Sequence, residues 1–199
     1  MQRMSAWVFG LSAWIVQDGN YGEFGRGDVA EFAVEFEVDD VQAGEATARS
    51  ATLVSDSDYA IAGEVVFTAD DVWVVDCGIL IYSERRPAGV RVGHWVTGTA
   101  FLGVDPFPYF ERLNRLPGMP ALVYTWEITR IRRLTAPFVE TRPRFFERER
   151  SRWDYVDVDA TDAWRDDQGW PTISSGVSDR RGLLAPGQSS RIVNGQAGG

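Results

Sequence analysis

The stretch from Tyr59 to Asp105 constrains the fold more than any other part of the chain, because apolar residues recur there at every second position. The first part of this series comprises Tyr59, Ile61, Gly63, Val65 and Phe67. Side chains on a β-strand alternate between two faces, so this spacing turns one face towards a core. Residues 72–82 are apolar at almost every position and rich in Val and Ile, which predicts a strand covered on both faces. The turn-prone residues 69–71 join the two runs into a predicted antiparallel hairpin.

A third strand is predicted from Val90 to Val104, and its glycines indicate how the sheet is shaped. Gly93, Gly98 and Gly103 interrupt this strand. Glycine weakens a strand unless a bulge, a bend or a close backbone approach requires it. Three such positions favour a strongly coiled sheet, as a small closed barrel needs. We therefore predict an all-β fold with minimal helix, built either as a small antiparallel barrel of OB-like type or as a β-sandwich.

The same reasoning places strands on both sides of this central stretch. Residues 30–38 are the most regular, with Phe32, Val34 and Phe36 facing inward and glutamates facing outward. In residues 121–134 the alternation slips after Ile128, and a bulge near Thr129 would return Ile131 to the inner face. Further predictions are a first strand at 5–16, a turn at 39–45, a strand at 47–54, a short helical segment at 110–116 and a last hairpin formed by residues 138–150 with residues 153–158.

Composition changes near residue 168, where Gly, Ser, Pro and Arg become frequent and apolar residues scarce. A segment of this kind buries too little surface to offset the entropy lost on ordering. We predict one all-β domain over residues 1–167 and a disordered tail over residues 168–199.

Charge and residue usage exclude several kinds of chemistry. Residues 1–80 hold 15 acidic residues and three arginines, and the whole chain has a net charge of −9. All 20 basic residues are Arg, which excludes a lysine Schiff base and a P-loop lysine. One Cys and one His cannot build a four-ligand zinc site. Carboxylates could hold a metal at three acidic turns, but each is better explained as a solvated turn, so no metal and no cofactor is predicted; the turns are Asp56/Asp58, Asp70/Asp71 and Asp157/Asp159/Asp162. The lone cysteine and the absence of a membrane-spanning apolar run predict a cytoplasmic protein with no membrane partner.

The outward glutamates of residues 30–38 provide the first functional hypothesis. Glu31, Glu35 and Glu37 alternate with apolar residues and form an acidic strand face. Such a face protects a sheet from aggregation, and it also suits a basic protein partner. We predict a non-enzymatic binding module that engages another protein through these glutamates, in an oligomeric state that the sequence leaves open.

The alternative hypothesis is a barrel that binds single-stranded nucleic acid through an arginine-rich segment. Residues 130–152 hold eight arginines and three glutamates, with aromatic residues among them. Arginines and stackable aromatics are the groups used by such binders, although the acidic balance of the chain disfavours this function. The candidate residues are Arg130, Arg132, Arg142, Arg144, Phe145 and Arg148.

A second alternative is a hydrolase, although no recognised catalytic motif is present and an enzyme is the less favoured reading. Glu127 beside Trp126, together with Asp76, could form a two-carboxylate site if burial raised a pKa. Cys77 and His94 could form a thiolate pair on neighbouring strands. The alternation places His94 on the inner face of its strand, where a buried histidine would serve the core.

Overall fold

The computed structural model describes residues 6–19, 21–44, 47–135, 137–149, 152, 154–162 and 171–177, and strands dominate them. The strands are β1 (Trp7–Gly10), β2 (Val29–Phe32), β3 (Val34–Ala43), β4 (Ser50–Ser55), β5 (Asp58–Ala69), β6 (Val72–Asp76), β7 (Leu80–Ser83), β8 (Trp95–Val104), β9 (Tyr124–Thr135), β10 (Phe138–Arg142), β11 (Phe145–Arg148), β12 (Asp154–Val158) and β13 (Pro171–Val177). Two short helices, α1 (Ala13–Gln17) and α2 (Pro108–Glu111), and a 3₁₀ turn at Leu113–Arg115 complete the elements.

Five strands close into a barrel. Around the ring, β3 pairs with β8, β8 with β5, β5 with β6, β6 with β7, and β7 returns to β3. The pairing of β3 with β7 is parallel and the other four are antiparallel. The order of neighbouring strands around the ring is that of an OB-type barrel, except that the strand which comes last in such a barrel comes first in this chain, as β3. The predicted all-β small barrel is confirmed, with one parallel pairing.

The remaining sheet extends from one side of the barrel. β1 pairs with β8 at a single position, Gly10 with Gly103, and carries β13 on its other edge. β9 lies beyond β13 and pairs along its other edge with β2 and β12. β10 and β11 pair with each other as a separate two-stranded sheet.

The buried apolar side chains form two clusters, which meet the opposite faces of β6. Trp73 and Val75 point into the first cluster, which joins the barrel interior to Phe9 and Trp126 of the outer strands. Val72 and Val74 point into the second, which lies under α2 and the 3₁₀ turn. The prediction that this run is covered on both faces is therefore confirmed.

Several details of the period-two prediction are also confirmed. Phe32, Val34 and Phe36 are buried, and so are the inward residues of β5 from Tyr59 to Val65. The ladder between β9 and β13 skips Thr129, so both Ile128 and Ile131 are fully buried. This is the bulge that the slipped alternation predicts.

The prediction of one strand over residues 72–82 is wrong, because the chain turns back within it. Gly78 has a φ of 114°, and its N–H donates to the Asp76 carboxylate at 3.1 Å. An aspartate that bonds its own backbone two residues on, followed by a residue with positive φ, makes a tight turn. β6 and β7 are consequently an antiparallel pair within one apolar run.

Three other predicted segments differ from the structure. The first strand ends at Gly10, and residues 13–17 form α1 because the chain bends around the barrel. Residues 39–43 continue β3 beyond a bulge at position 39, where a turn is predicted. His94 lies in the loop before β8 and is exposed, because the strand begins one residue later at Trp95.

Residues 171–177, which fall within the predicted tail, form the strand β13. β13 lies between β1 and β9 and is antiparallel to both. Backbone hydrogen bonds to two neighbouring strands stabilise a segment whose own apolar content is low. The rest of the predicted tail lies outside the described residues.

Candidate binding site

A cleft of about 290 Å³ opens where β1 and the N-terminal end of α1 lie against the barrel. Its walls come from β3, β8 and the segment that follows β8. The side chains and backbone that line it include Gly10, Trp14, Glu35, Glu37, Phe101 and Pro106. The cleft thus combines two carboxylates with two aromatic rings.

The floor of the cleft is made of two glycines beneath an aromatic ring. Gly10 and Gly103 pair across β1 and β8, and the ring of Phe101 lies over them. A Cβ atom on Gly10 would overlap that ring. Glycine at position 10 therefore leaves room for the far end of the Phe101 ring beside the backbone of β1.

Trp14 forms the opposite wall and is unusually open for so large an apolar side chain. About 51% of its surface is exposed. The edge of its ring meets Phe107, with the ring centroids 6.4 Å apart. An exposed tryptophan beside carboxylates provides a face for a cationic group.

Glu35 and Glu37 lie on the outer face of β3, since Val34 and Phe36 point into the core. Glu35 is half-buried and Glu37 is exposed. Burial raises the pKa of Glu35 to about 7, with the negative charges of Asp105, Glu37 and Glu84 acting in the same direction and Arg85 opposing them. Within the part of the chain that the structure describes, neither Glu35 nor Glu37 has an ion-pair partner.

Asp105 lies directly behind the cleft and is fully buried. Its Oδ1 accepts hydrogen bonds from the Tyr82 hydroxyl, from the N–H of Phe107 at 3.1 Å and from the N–H of Tyr109 at 3.4 Å. These bonds order the turn in which Phe107 has a φ of 94°, a conformation that a bulky residue rarely adopts. Burial raises the pKa of Asp105 to about 6, although the bonds from Tyr82 and the two amides oppose that rise.

The second oxygen of Asp105 and the hydroxyl of Tyr21 are buried without a hydrogen-bond partner among the described residues. The charge of Asp105 and burial both raise the pKa of Tyr21, so the two groups interact electrostatically. The acidic groups of the site therefore extend from the exposed Glu37, through Glu35, to a fully buried carboxylate.

This arrangement predicts that the stability depends on pH through Glu35. Its raised pKa means that the folded protein retains a proton that the unfolded chain releases between about pH 4.5 and about pH 7, so the Glu35 contribution to stability falls as pH rises through that window. We expect Glu35→Gln to match the wild type near pH 4 and to exceed it by about 1–2 kcal/mol at pH 8, a figure reduced for partial solvation. Urea unfolding at several pH values measures the difference.

Glu127→Gln, at an exposed position on β9, is the control for this measurement. It removes one carboxylate without touching the cleft, so the comparison of the two variants separates the environment of Glu35 from the general loss of a negative charge. If the difference in the free energy of unfolding between Glu35→Gln and the wild type does not change with pH, the environment described for Glu35 is contradicted.

The structure divides the acidic face predicted from the sequence. Glu35 and Glu37 reach the cleft, whereas Glu31 lies on β2, which pairs with β9. Glu31 is exposed and accepts a hydrogen bond from the Thr125 hydroxyl at 3.3 Å. β2 ends at Phe32 and β3 begins at Val34 with β8 as its neighbour instead of β9, so the three glutamates do not continue along one strand.

The arginines of the nucleic-acid hypothesis are also divided between two sheets. Arg130 and Arg132 lie on β9, where Arg130 makes a bidentate ion pair with Asp157 at 2.6 and 2.9 Å and Arg132 stacks over Tyr155 at 4.7 Å. Arg142, Arg144 and Phe145 belong to the hairpin of β10 and β11 and are exposed. Arg148 lies on β11 by its backbone.

The residues named in the two hydrolase hypotheses do not have the environments that those hypotheses require. Glu127 is exposed, so it lacks the aromatic burial on which the carboxylate site depends, and Asp76 is 3.3 Å from Arg49 in an ion pair. Burial raises the pKa of Cys77 to about 12, and its thiol points to the carbonyl of Ile79 rather than to the exposed His94. A thiol with that pKa is not a nucleophile at neutral pH.

Sequence reasoning missed Asp105, Tyr82, Trp14 and Phe101 as parts of a site. The one available signal was Asp105 itself, an acidic residue at the end of an apolar strand and before two prolines. The other three sit in apolar patterns that describe a core equally well.

The described residues contain no group of three or more His, Cys, Asp or Glu side chains placed to hold a metal ion. No helix among them is both long and apolar enough to cross a membrane. No protein-family model, curated protein or solved structure matches the chain.

Proposed function

We propose that this protein is a binding module whose cleft accepts a cationic side chain, arginine or lysine, of a protein partner. The observation that carries the proposal is the half-buried Glu35 on the cleft wall, with no cation paired to it in the described part of the chain. A partly desolvated carboxylate in this situation gains more from an incoming cation than a fully hydrated one.

The aromatic rings favour the same ligand. Trp14 and Phe101 line the cleft that Glu35 and Glu37 enter. A cation between a carboxylate and an aromatic face is attracted by both, and the attraction to the ring grows as water is excluded. Arginine suits this geometry best, because its planar guanidinium can stack on a ring while donating hydrogen bonds to a carboxylate.

The size of the cleft points to a side chain rather than to a complete small molecule. At about 290 Å³ it lies at the lower end of the range for small-molecule pockets. The net charge of −9 attracts basic partners over distance at low salt. Both features suit a surface that receives one or two basic residues of a larger partner.

A titration with a short arginine-rich peptide tests the proposal. We expect the peptide to shift the amide resonances of Glu35, Glu37 and Phe101 at low salt, and Glu35→Gln to weaken binding about tenfold or more, since bonds to charged groups contribute about 1.5–3 kcal/mol. Binding should also strengthen as pH rises through 7, because a cation favours the ionised form of Glu35.

Glu31→Gln is the matched control, because Glu31 belongs to the acidic face predicted from the sequence but lies outside the cleft. It should leave the affinity unchanged within about twofold. If Glu31→Gln and Glu35→Gln lower the affinity for the peptide equally, the peptide responds to the overall charge of the protein, and a site at the cleft is contradicted.

Acid–base hydrolysis is a second candidate, favoured by the pKa of about 7 for Glu35. That value suits a general acid or base at neutral pH. Asp105, the other carboxylate of raised pKa, is fully buried and holds three donors, so it cannot contact a substrate directly. Turnover of chromogenic glycosides or esters that disappears in Glu35→Gln would favour this candidate over binding alone.

A further inference from the structure

The hairpin of β10 and β11 forms a two-stranded sheet of its own, here called the arm and defined as residues 137–149. Its strands pair only with each other among the described strands. The base is closed by the N–H of Glu149, which donates to the carbonyl of Pro137 at 2.9 Å. A two-stranded hairpin is marginally stable in water unless another surface covers it.

The arm presents aromatic and cationic groups to solvent. Phe138 is 52% exposed and Phe145 is 54% exposed. The guanidinium of Arg142 stacks over Phe145, 5.6 Å from the ring centroid. At the tip, the N–H of Arg144 donates to a Glu140 carboxylate oxygen at 2.7 Å, which fixes a turn with Arg144 at a φ of 63°. The tip is therefore a group of two arginines and a phenylalanine, together with Glu140, whose carboxylate accepts from the backbone of the turn.

These features complement the cleft. The cleft offers Glu35 and Glu37 beside Trp14 and Phe101, and the tip offers Arg142 and Arg144 beside Phe145. We propose that the partner of the cleft is the arm of a second copy of this chain, an inference that rests on the proposed function and names its ligand. Two carboxylates receive two guanidinium groups, and exposed rings on both sides are covered together.

A reciprocal exchange follows from symmetry. Each copy carries one arm and one cleft, so a two-fold axis allows both arms to be received and closes the assembly as a dimer. The alternative is an open chain, in which each arm enters the cleft of the next copy. The attraction between opposite charges must also exceed the repulsion between two chains of net charge −9, so the association should weaken as salt rises.

Sedimentation velocity over a range of concentrations tests the exchange with two variants. The arm variant carries Arg142→Gln and Arg144→Asn, the latter because asparagine tolerates a positive φ. The cleft variant carries Glu35→Gln and Glu37→Gln. We expect the wild type to dimerise reversibly and each variant to raise the dissociation constant tenfold or more. Circular dichroism confirms that the variants are folded.

A directional mixing experiment separates this inference from the proposed function. The isotope-labelled arm variant has an intact cleft. Its amide resonances at Phe101 and Glu37 should shift when the unlabelled cleft variant is added, and they should not shift when more of the arm variant is added. A wild type that stays monomeric, or variants that dimerise like it, would overturn the exchange. In that case the arginine-rich peptide decides about the proposed function. If the peptide shifts the amide resonances of the arm variant, the proposed function stands; if it does not, the proposed function and the exchange are both overturned.

Discussion

Replacing Gly98 with alanine should destabilise the barrel by about 3 kcal/mol or more, among the largest effects of any single methyl group in this chain. Gly98 lies on β8 where that strand pairs with Val41 of β3 on one side and with Ile61 of β5 on the other. A Cβ atom there would overlap the carbonyl oxygen of Asp40 and lie 2.7 Å from the Cα of Val41. Both neighbours are backbone atoms of a ring of strands, so neither can move without opening the barrel.

Gly103→Ala is the matched control on the same strand. Its Cβ would lie 3.2 Å from an atom of the Phe101 ring, a side chain that can shift. We expect a loss of less than about 1 kcal/mol for this variant in urea unfolding monitored by circular dichroism. Equal losses for the two variants would mean that the cost arises from β8 in general and not from the close approach at Gly98.

The glycine pattern also shows what the sequence could predict. Glycines interrupting a long apolar strand indicated a coiled sheet, and of the described glycines Gly98 is the one at which an added Cβ would come nearest to another backbone. Alternation could identify buried positions such as Phe36 and Ile61, because side-chain direction on a strand depends only on local geometry. It did not find the turn at Gly78, because Cys77 and Ile79 on either side of that glycine are buried and apolar, and only Asp76 interrupts the apolar run.

The cleft was beyond prediction for a different reason. The alternation of side chains predicted that Glu35 faces away from the barrel interior, and it does. Its environment depends on a second segment, β1 and α1, that covers this part of the outer face. Asp105 lies 70 positions further along the chain and comes near Glu35 through the pairing of β3 with β8 and with β7, whose Tyr82 donates to Asp105. Such contacts are set by strand order, which the local pattern does not encode.

β13 illustrates the same limit for backbone pairing. Residues 171–177 contain two glycine or proline positions and two serines, a composition typical of a loop. Their strand forms because β1 and β9 leave a gap that one more strand fills, with hydrogen bonds on both edges. The strand propensity of a sequence is a weak guide where neighbouring strands provide hydrogen-bond partners for its backbone.

Replacing Trp126 with alanine should cost about 3–5 kcal/mol, the range for a fully buried tryptophan. Its ring stacks on Phe32 at 5.5 Å and meets the edge of Phe9 at 4.8 Å, and its Nε1–H donates to the carbonyl of Phe32 at 3.1 Å. Trp126 therefore joins β9 to β1 and β2. Trp126→Phe retains most of the ring contact and loses the hydrogen bond, so about 1–2 kcal/mol is expected for it.

The same variant tests whether the outer strands and the barrel unfold as one domain, as the sequence predicts. Trp126 belongs to the apolar cluster that also contains Trp73 and Val75 inside the barrel. If that cluster acts as a cooperative unit, Trp126→Ala should lower the hydrogen-exchange protection of the β6 amides as much as that of β9, because both exchange through global unfolding. If β6 keeps its wild-type protection while β9 loses its own, the outer sheet opens independently and the single-domain prediction is wrong.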